Sequence, residues 1–202
     1  QLYLLEGFQW EYNLVKSEEI NAWCLPGGKI VVYTGLLPVV ENDRALAIVM
    51  GHEIAHALAK HGNERLSQST LQQLGGVALS VAVAGESQAA QEVLLDAYGI
   101  GTTLGGILPF SRKHELEADK LGLIYAALAG YDPREAIPLW ERMEKAAKGN
   151  KPPEFLSTHP SEEDRIERLR EMPQHAIVKR WNDACCECAT AATVVEMWSA
   201  PY

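Results

Sequence analysis

The feature that most constrains this chain is the segment HEIAH at residues 52–56. Apolar residues recur at spacings of three, four and seven across residues 45–58, which predicts a buried amphipathic helix around the segment. His52 and His56 then lie on one face of that helix, one turn apart, where both imidazoles can bind a single Zn²⁺. Glu53, beside the first histidine, can accept a proton from a water molecule that the zinc activates. The spacing therefore predicts a zinc site on this helix rather than incidental histidines in a core.

A hydrolytic zinc site has three protein ligands and one open position, so a third ligand must come from another part of the chain. The metzincin spacing would require a histidine where this chain has Gly62. His61 has the wrong offset and is expected to face away from the pair. Better candidates lie on a predicted helix after Pro109, where Glu115 and Asp119 share one face at a spacing of four. One of these two can bind the metal while the other orients a ligand imidazole.

Glu117 competes with Glu115 for the place of third ligand. It lies about 200° around the helix from Glu115, so only one of the two can face the zinc. The helical geometry alone leaves open which of the two it is. A closed structural zinc site is a weaker interpretation, because such sites favour four Cys or His ligands and no fourth ligand is evident.

Length and composition limit what the whole chain can be. It has 202 residues, with 18 Lys and Arg against 27 Asp and Glu, a net charge of −9 and a pI near 5.2. This length suits a single domain with a substantial core. Proteins that bind nucleic acid need a basic face, so the acidic balance argues against a nucleic-acid partner. Four cysteines are too few for a disulfide scaffold.

The pattern along the chain predicts an α+β fold that is mainly helical, with a small N-terminal β-sheet. Aromatic and β-branched residues indicate strands at 9–16, 20–25 and 29–33. Pro26-Gly27-Gly28 predicts a hairpin turn between the last two strands. After Asn42 the period becomes helical, and further helices are predicted at 66–84, 111–130, 133–148 and 161–171.

Two apolar, glycine-rich stretches, 74–84 and 98–110, have two interpretations: contact with a membrane or burial in the core. They have 11 and 13 residues, fewer than the roughly 18–20 that span a bilayer. Glu86, Glu92 and Asp96 lie between them. We therefore predict that both stretches are buried in the protein.

Several motifs occur in an order that resembles a known family. They are Asn21-Ala22-Trp23, HEIAH at 52–56, Ser111-Arg112, and Glu115 followed by Ala118-Asp119. Together they resemble the HtpX-like and CAAX-protease-like zinc metallopeptidases over about residues 8–172. The likeness is strongest to the soluble periplasmic LoiP-like and BepA-like branch and to the mitochondrial Oma-like branch.

The resemblance implies a zincin-like fold of the gluzincin type, with the sheet bordering the active-site cleft. It implies Glu115 as the third zinc ligand and Asp119 as the residue that orients a ligand histidine. It also implies a zinc-dependent endopeptidase, in which Glu53 takes the water proton and returns it to the leaving amine. The long transmembrane helices of membrane-embedded relatives are not evident here, so a prenylated CAAX tail is not the expected substrate.

Asn21 and Ala22 match the strand along which gluzincins bind an extended substrate. Main-chain hydrogen bonds along such a strand give affinity with modest sequence preference. We therefore expect residues 20–25 to form an exposed edge strand beside the cleft, although Trp23 and Cys24 would also suit an ordinary core strand.

His159 precedes Pro160 and is predicted to lie on a loop before the helix at 161–171, with Arg165 in that helix. One interpretation is a helix-capping loop. The other, which the resemblance supports, places both side chains at the active site. There they stabilise the oxyanion, or His159 closes the open zinc position in the resting enzyme.

We assign residues 1–180 to a zinc metallopeptidase domain and 181–202 to a C-terminal tail of unknown role. Cys185, Cys186 and Cys188 in that tail lack a fourth metal ligand at a useful spacing.

The expected function is hydrolysis of misfolded or envelope proteins, with one zinc ion per chain as cofactor and polypeptides as partners. A lipid anchor or peripheral membrane association outside this chain is a further expectation. The expected location is the periplasm or outer membrane of a Gram-negative bacterium, with the mitochondrial inner membrane as the alternative. A chaperone-like assembly factor with little proteolysis is the competing function, and it would not need Glu53.

Overall fold

The computed structural model describes residues 7–148, 153–159 and 165–171, and the predicted tail at 181–202 lies outside these ranges. Three short strands come first and helices follow, so the predicted α+β class, mainly helical, is confirmed. Short 3₁₀ or π-helical turns occur at Thr34–Leu36, Thr103–Ile107 and Pro133–Glu135. The strands and helices are β1 Glu11–Val15, β2 Ala22–Leu25, β3 Lys29–Tyr33, α1 Leu37–Val40, α2 Asp43–Leu58, α3 His61–Ala82, α4 Gln88–Thr102, α5 Leu108–Leu128, α6 Ala136–Ala147, α7 Glu154–Thr158 and α8 Arg165–Glu171.

The sheet has the strand order β1-β3-β2, with β1 parallel and β2 antiparallel to β3. The predicted turn joins β2 to β3: the Gly28 N–H donates to Leu25 O at 3.1 Å. Gly27 and Gly28 have φ angles of 96° and 99°, a backbone region that favours glycine. β2 is therefore an end strand of this sheet, and it packs against α2.

Helices α2 and α5 form the central packing of the domain. Where they cross, a Cβ on Gly51 would lie 2.6 Å from Gly122 O, and one on Gly122 would lie 2.7 Å from His52 N. Only glycine leaves that space free, so the two backbones touch. The close crossing brings the first half of α5 beside the HEIAH turn of α2. The core around it includes Ile48, Val49, Leu123, Ala126, Leu139 and Met143.

Several helix ends follow local rules that the sequence contains. The Asn42 side chain caps α2 by accepting the N–H of Ala45 at 2.9 Å. The helix predicted at 111–130 begins earlier, at Leu108, because Pro109 fits a first turn, where its missing N–H is not needed. The helix predicted at 161–171 is described from Arg165 onward, and residues 160–164 lie outside the described part.

The prediction that residues 74–84 and 98–110 are buried is wrong. Val77 is 62% exposed, Val81 72% and Ile100 61%. These residues belong to α3 and to α4, a helix the sequence pattern did not predict, and the two helices pack against each other as a hairpin. Apolar composition shows that a segment avoids water, but only the packing shows whether protein covers it.

Candidate metal centre

Four buried side chains converge between α2, α5 and the end of α7. One ligand atom from each of His52, His56, Glu115 and His159 lies within 4.8 Å of the other three. The Nε2 atoms of His52 and His56 are 3.0 Å apart. The Glu115 carboxylate lies 3.2 Å from His52 Nε2 and 3.3 Å from His56 Nε2. His159 Nδ1 lies 3.3 Å from His52 Nε2. The three expected zinc ligands therefore come together, and His159 joins them.

The chemistry of this donor set fits zinc. Protein zinc sites are tetrahedral with ligand distances of about 2.0–2.2 Å, which places ligand atoms about 3.3 Å from one another. The separations of 3.0, 3.2 and 3.3 Å are close to that value. The Nδ1 atoms of His52 and His56 have their own partners, Asp119 and His61, each at 3.0 Å. Both Nε2 atoms are thereby turned toward the common centre.

Burial and neighbouring charge set the protonation of these donors. Burial alone would raise the pKa of Glu115, but hydrogen bonds with the three histidines outweigh it and keep the carboxylate ionised. Burial lowers the pKa of His56 to about 3, so its imidazole is neutral. Burial also acts to lower the pKa of His52, but Asp119 and Glu115 outweigh it and raise that pKa to about 9. The position of His52 therefore attracts positive charge.

Asp119 orients His52 and is itself held by Arg165. Asp119 Oδ1 lies 3.0 Å from His52 Nδ1, and Arg165 Nε donates to Asp119 Oδ2 at 2.9 Å. The guanidinium carbon lies 3.4 Å from the centroid of the Trp140 ring, and all four residues are buried. Burial alone would raise the pKa of Asp119, but Arg165 and His52 lower it, so the carboxylate stays ionised. Arg165 Nη2 also lies 3.5 Å from His52 Nδ1 and 3.9 Å from Glu115 Oε2, so Arg165 contacts two of the donor residues as well as Asp119.

The expectation that His61 faces away from the pair is wrong. His61 Nδ1 lies 3.0 Å from His56 Nδ1, and His61 Nε2 lies 3.3 Å from Glu117 Oε2. A continuous helix would have carried His61 to another face, but α2 ends at Leu58. Lys60, with φ 59° and ψ 30°, then turns the chain so that α3 begins with the His61 ring against His56.

Glu115 and Glu117 lie on different sides of α5. Glu115 is 1% exposed and faces the ring nitrogens of α2. The side chain of Glu117 is 46% exposed and contacts His61. Of these two competing ligands, only Glu115 is among the described donors that converge on the centre. Glu117 reaches the site through His61.

Glu53 and His159 face each other across the site. Glu53 is 2% exposed, and its Oε1 lies 3.3 Å from His159 Nε2. Burial raises the pKa of Glu53 although His159 and His52 oppose the shift, so the carboxylate is a stronger base than an exposed one. Phe155 positions His159: the two rings stack with centroids 4.4 Å apart, and the His159 N–H donates to Phe155 O at 2.9 Å.

Comparison with known families identifies the domain. Residues 4–173 match the family model described as Peptidase family M48. The chain belongs to peptidase family M48. The resemblance inferred from the motifs is thereby confirmed, and zinc is the metal that this family and this donor set share.

Three relatives show how the M48 chain compares with longer proteins. It is 41% identical over 165 residues to the mitochondrial metalloendopeptidase OMA1 of Arabidopsis thaliana, covering 82% of this chain and 32% of that protein. It is 38% identical over 187 residues to the mitochondrial metalloendopeptidase OMA1 of Schizosaccharomyces pombe, covering 90% of this chain and 52% of that protein. It is 31% identical over 170 residues to the β-barrel assembly-enhancing protease of Escherichia coli, covering 80% of this chain and 34% of that protein. The chain thus spans about a third to a half of the length of these relatives.

In this M48 domain the donor set borders a cleft of about 440 Å³. The cleft lies between β2, the HEIAH turn and the first turns of α3. Arg165 is absent from the described residues that line it, which agrees with its contacts to Asp119. The lining includes Asn21, Trp23, Cys24, Glu53, Asn63, Arg65 and His159.

Asn21 and Ala22 have different positions beside the cleft. Asn21 O accepts the N–H of Tyr33 at 3.1 Å, and Asn21 Oδ1 accepts the N–H of Ala22 at 2.9 Å. The Ala22 side chain is 1% exposed in the core. Antiparallel alternation turns the backbone groups of Ala22 and Cys24 toward the edge away from β3. Burial, followed by the charge of Glu53, raises the pKa of the Cys24 thiol to about 12, so it stays protonated and is not a nucleophile.

Some residues that build the site were missed in the sequence. Gly51 and Gly122 carry a usable signal, because a glycine in the middle of a predicted helix often marks a close backbone approach. His61 was visible only as a nearby histidine. Trp140 and Phe155, which hold Arg165 and His159, resemble ordinary core residues and carry no comparable signal.

Proposed function

We propose that this domain is a zinc-dependent endopeptidase that hydrolyses peptide bonds of misfolded or envelope proteins. The observation that carries the proposal is the convergence of His52, His56 and Glu115 with the buried carboxylate of Glu53 beside them. A zinc ion bound there supplies the positive charge that polarises a carbonyl and acidifies water. Relatives named as metalloendopeptidases support the same chemistry.

A few side chains of the protein bind the metal, orient its ligands and transfer protons. His52, His56 and Glu115 would hold the ion, and Asp119 keeps the His52 ring in position. Glu53 accepts the proton of the attacking water and returns it to the leaving amine. Its raised pKa favours the first of these transfers.

His159 is proposed to close the site in this conformation. Its Nδ1 lies among the donors, and its Nε2 lies 3.3 Å from Glu53, so the ring occupies space that a peptide needs. The ring must leave before a substrate carbonyl can reach the centre. Arg165 is proposed as a positioning residue that holds Asp119 and lies against Glu115, rather than as a donor to the oxyanion.

The substrate is proposed to bind as an extended strand along the edge of β2 that no described strand pairs. The backbone of Ala22 lies on that edge, and the Asn21 side chain lines the cleft beside it. Main-chain pairing of this kind accepts many sequences. Such tolerance suits an enzyme that acts on misfolded polypeptides.

The proposed location is the cell envelope, in the periplasm or at the outer membrane of a Gram-negative bacterium. The mitochondrial inner membrane is the second candidate, which the names of the OMA1 relatives support. Fractionation of the source cells, followed by immunodetection of the chain, distinguishes these compartments.

Digestion of casein by the purified, zinc-loaded chain tests the proposed activity. Glu53→Gln should keep its zinc and lose about 10²–10⁴-fold in turnover, because it removes only the general base. Glu92→Gln makes the same change on exposed α4 and should leave turnover and zinc content unchanged. Casein that wild-type chain does not cleave, or that Glu53→Gln cleaves as fast, would contradict the proposal. The chaperone-like alternative predicts the first of these results, and the peptidase relatives do not favour it.

A further inference from the structure

Helices α3 and α4, with the turn that follows them, expose an apolar surface that the metal centre does not use. We call residues 66–107 the apolar hairpin. Surfaces of this kind on folded proteins mark contacts with another protein or a membrane. Nine of its large apolar side chains are 43–72% exposed: Leu66, Leu71, Leu74, Val77, Val81, Val93, Leu94, Ile100 and Leu104.

The apolar hairpin places polar groups between its helices and apolar groups outside. From α3, Gln72 Nε2 donates to Thr102 Oγ1 at 2.7 Å and to Thr103 Oγ1 at 3.2 Å. From α4, the Tyr98 hydroxyl donates to Gln72 O at 3.1 Å, in space that only a glycine at position 75 leaves free. A water-exposed helix pair shows the reverse order, with apolar residues between the helices.

Five hydroxyl groups of α3 and α4 donate to backbone carbonyls of their own helix. Groups that are satisfied internally need no water, which is the condition for contact with hydrocarbon. A surface that faces water has no such requirement. The bonds, all 2.7–2.9 Å long, run from Ser67 to Asn63 O, from Ser69 and Thr70 to Leu66 O, from Ser80 to Val77 O and from Thr102 to Tyr98 O.

Long parts of the hairpin contain no Asp, Glu, Lys, Arg or His: residues 66–85 and 97–107 have none. The helical segment Gln88–Leu128 is long and apolar enough to cross a membrane, with a mean hydropathy of 1.3 in an 18-residue window that is not buried. Such helices otherwise occur in protein cores or in N-terminal signals. In this chain the apolar window is exposed, unlike a core helix, and it begins no earlier than Gln88, unlike an N-terminal signal.

Basic residues gather at the base of the apolar hairpin. Lys60 and Arg65 lie near the start of α3, while Arg112 and Lys113 lie in the first turns of α5. The two helix starts are joined by a hydrogen bond of 2.7 Å between His114 and Glu64. Glu64 and Glu117 lie among them and are about half exposed, and Lys60 and Arg65 also line the cleft. The four basic residues outnumber these two acidic ones, whereas the whole chain has a net charge of −9.

We propose that the apolar hairpin binds a lipid bilayer. Its exposed leucine, valine and isoleucine side chains enter the acyl-chain region, and the basic residues at its base lie against anionic headgroups. The insertion is shallow. Glu86 at the tip and Glu92 and Asp96 on exposed positions of α4 are too costly at the bilayer centre for the hairpin to cross.

A protein partner is the competing occupant of this surface. Protein interfaces are enriched at their centres in aromatic, methionine and arginine anchors. The apolar hairpin has no methionine, arginine, tryptophan or phenylalanine, and its single tyrosine, Tyr98, points inward to Gln72. Aliphatic side chains without such anchors suit a fluid hydrocarbon, which requires no complementary shape.

Flotation of the zinc-loaded full chain with lipid vesicles tests the proposal. The chain should float with mixed phosphatidylcholine and phosphatidylglycerol vesicles. It should float less with phosphatidylcholine alone, because the basic residues at the foot of the hairpin then have no anionic headgroups to contact. Leu74→Glu, at a position 61% exposed, should lower the vesicle partition coefficient by about tenfold or more. Leu128→Glu makes the same change at a position 42% exposed on α5, outside the hairpin, and should not lower it.

Ile100→Glu on α4 repeats the test if Leu74→Glu does not fold, as judged by circular dichroism and zinc content. Wild-type chain that does not float, or variants that float as well as wild type, would overturn the proposal. Analytical ultracentrifugation gives the other adverse result. A vesicle-free dimer that Leu74→Glu converts to monomer would assign this face to a second copy of the chain.

Discussion

Replacing His61 by leucine tests whether the ring holds His56 in place for zinc. His56 directs Nε2 toward the centre, and its Nδ1 lies 3.0 Å from His61 Nδ1. When zinc is bound at Nε2, Nδ1 of His56 carries the proton and needs an acceptor. Leucine offers no acceptor, and its volume leaves little room for a substituting water molecule. His61 is 1% exposed, so bulk water cannot replace it either.

Two independent estimates of the effect agree. A buried donor left without an acceptor costs about 1–3 kcal/mol. At about 1.4 kcal/mol per factor of ten, this corresponds to a zinc dissociation constant about 5–150-fold higher. Loss of a partner that orients a zinc-bound histidine costs about 10–100-fold in affinity in other zinc proteins. We therefore expect a zinc dissociation constant about 10–100-fold higher in His61→Leu.

Competition with a fluorescent zinc chelator at neutral pH measures this constant. His114→Leu is the matched control, because His114 stacks on His61 with centroids 4.2 Å apart and its Nε2 bonds to Glu64, which is not a zinc ligand. Its zinc affinity should stay within about threefold of wild type. An unchanged dissociation constant in His61→Leu, or an equal loss in both variants, would refute the reasoning.

Four further predictions follow from the site. Glu115→Ala should lose its zinc in elemental analysis whereas Glu117→Ala should keep one ion per chain, and the reverse result would overturn the ligand assignment. Glu53→Gln should raise the melting temperature of the metal-free chain at pH 7, because burial raises the pKa of Glu53 and its ionised form therefore opposes folding. Each kcal/mol of stability gained should raise the melting temperature by about 2–4 °C. The gain should vanish below about pH 4, where the carboxyl is protonated in both the folded and the unfolded chain. His159→Ala should keep zinc and raise turnover of casein if the ring closes the site, and a fall of about 10²-fold would instead assign it to the oxyanion. Gly122→Ala should cost about 1–3 kcal/mol in urea unfolding, since its Cβ would lie 2.7 Å from His52 N; a value near zero would show that the crossing adapts.

The predictable parts of the fold depend on local chemistry. The β2–β3 turn formed where Gly27 and Gly28 supply positive φ angles, and α2 began where Asn42 can cap it. Boundaries moved by a few residues where a proline fits the first turn, as at Pro109. The helix α4 and the exposure of the apolar hairpin were not predicted, because apolar composition does not show whether protein covers a segment.

The sequence by itself determined the pair of imidazoles and the base beside them. An α-helical turn of 3.6 residues places His52 and His56 on one face wherever the helix packs, and Glu53 is adjacent by covalent connection. The family resemblance indicated which carboxylate would join them, because the geometry alone left two candidates on the next helix.

Only the tertiary structure decided how that pair is completed. The backbone contact between Gly51 and Gly122 sets the rotation of α5, so Glu115 rather than Glu117 meets α2. A left-handed residue at Lys60 brings His61 back onto His56, which no helical period could indicate. Periodicity reports which side of a helix is apolar. It does not report which neighbouring helix that side meets, because that depends on contacts between residues far apart in the chain.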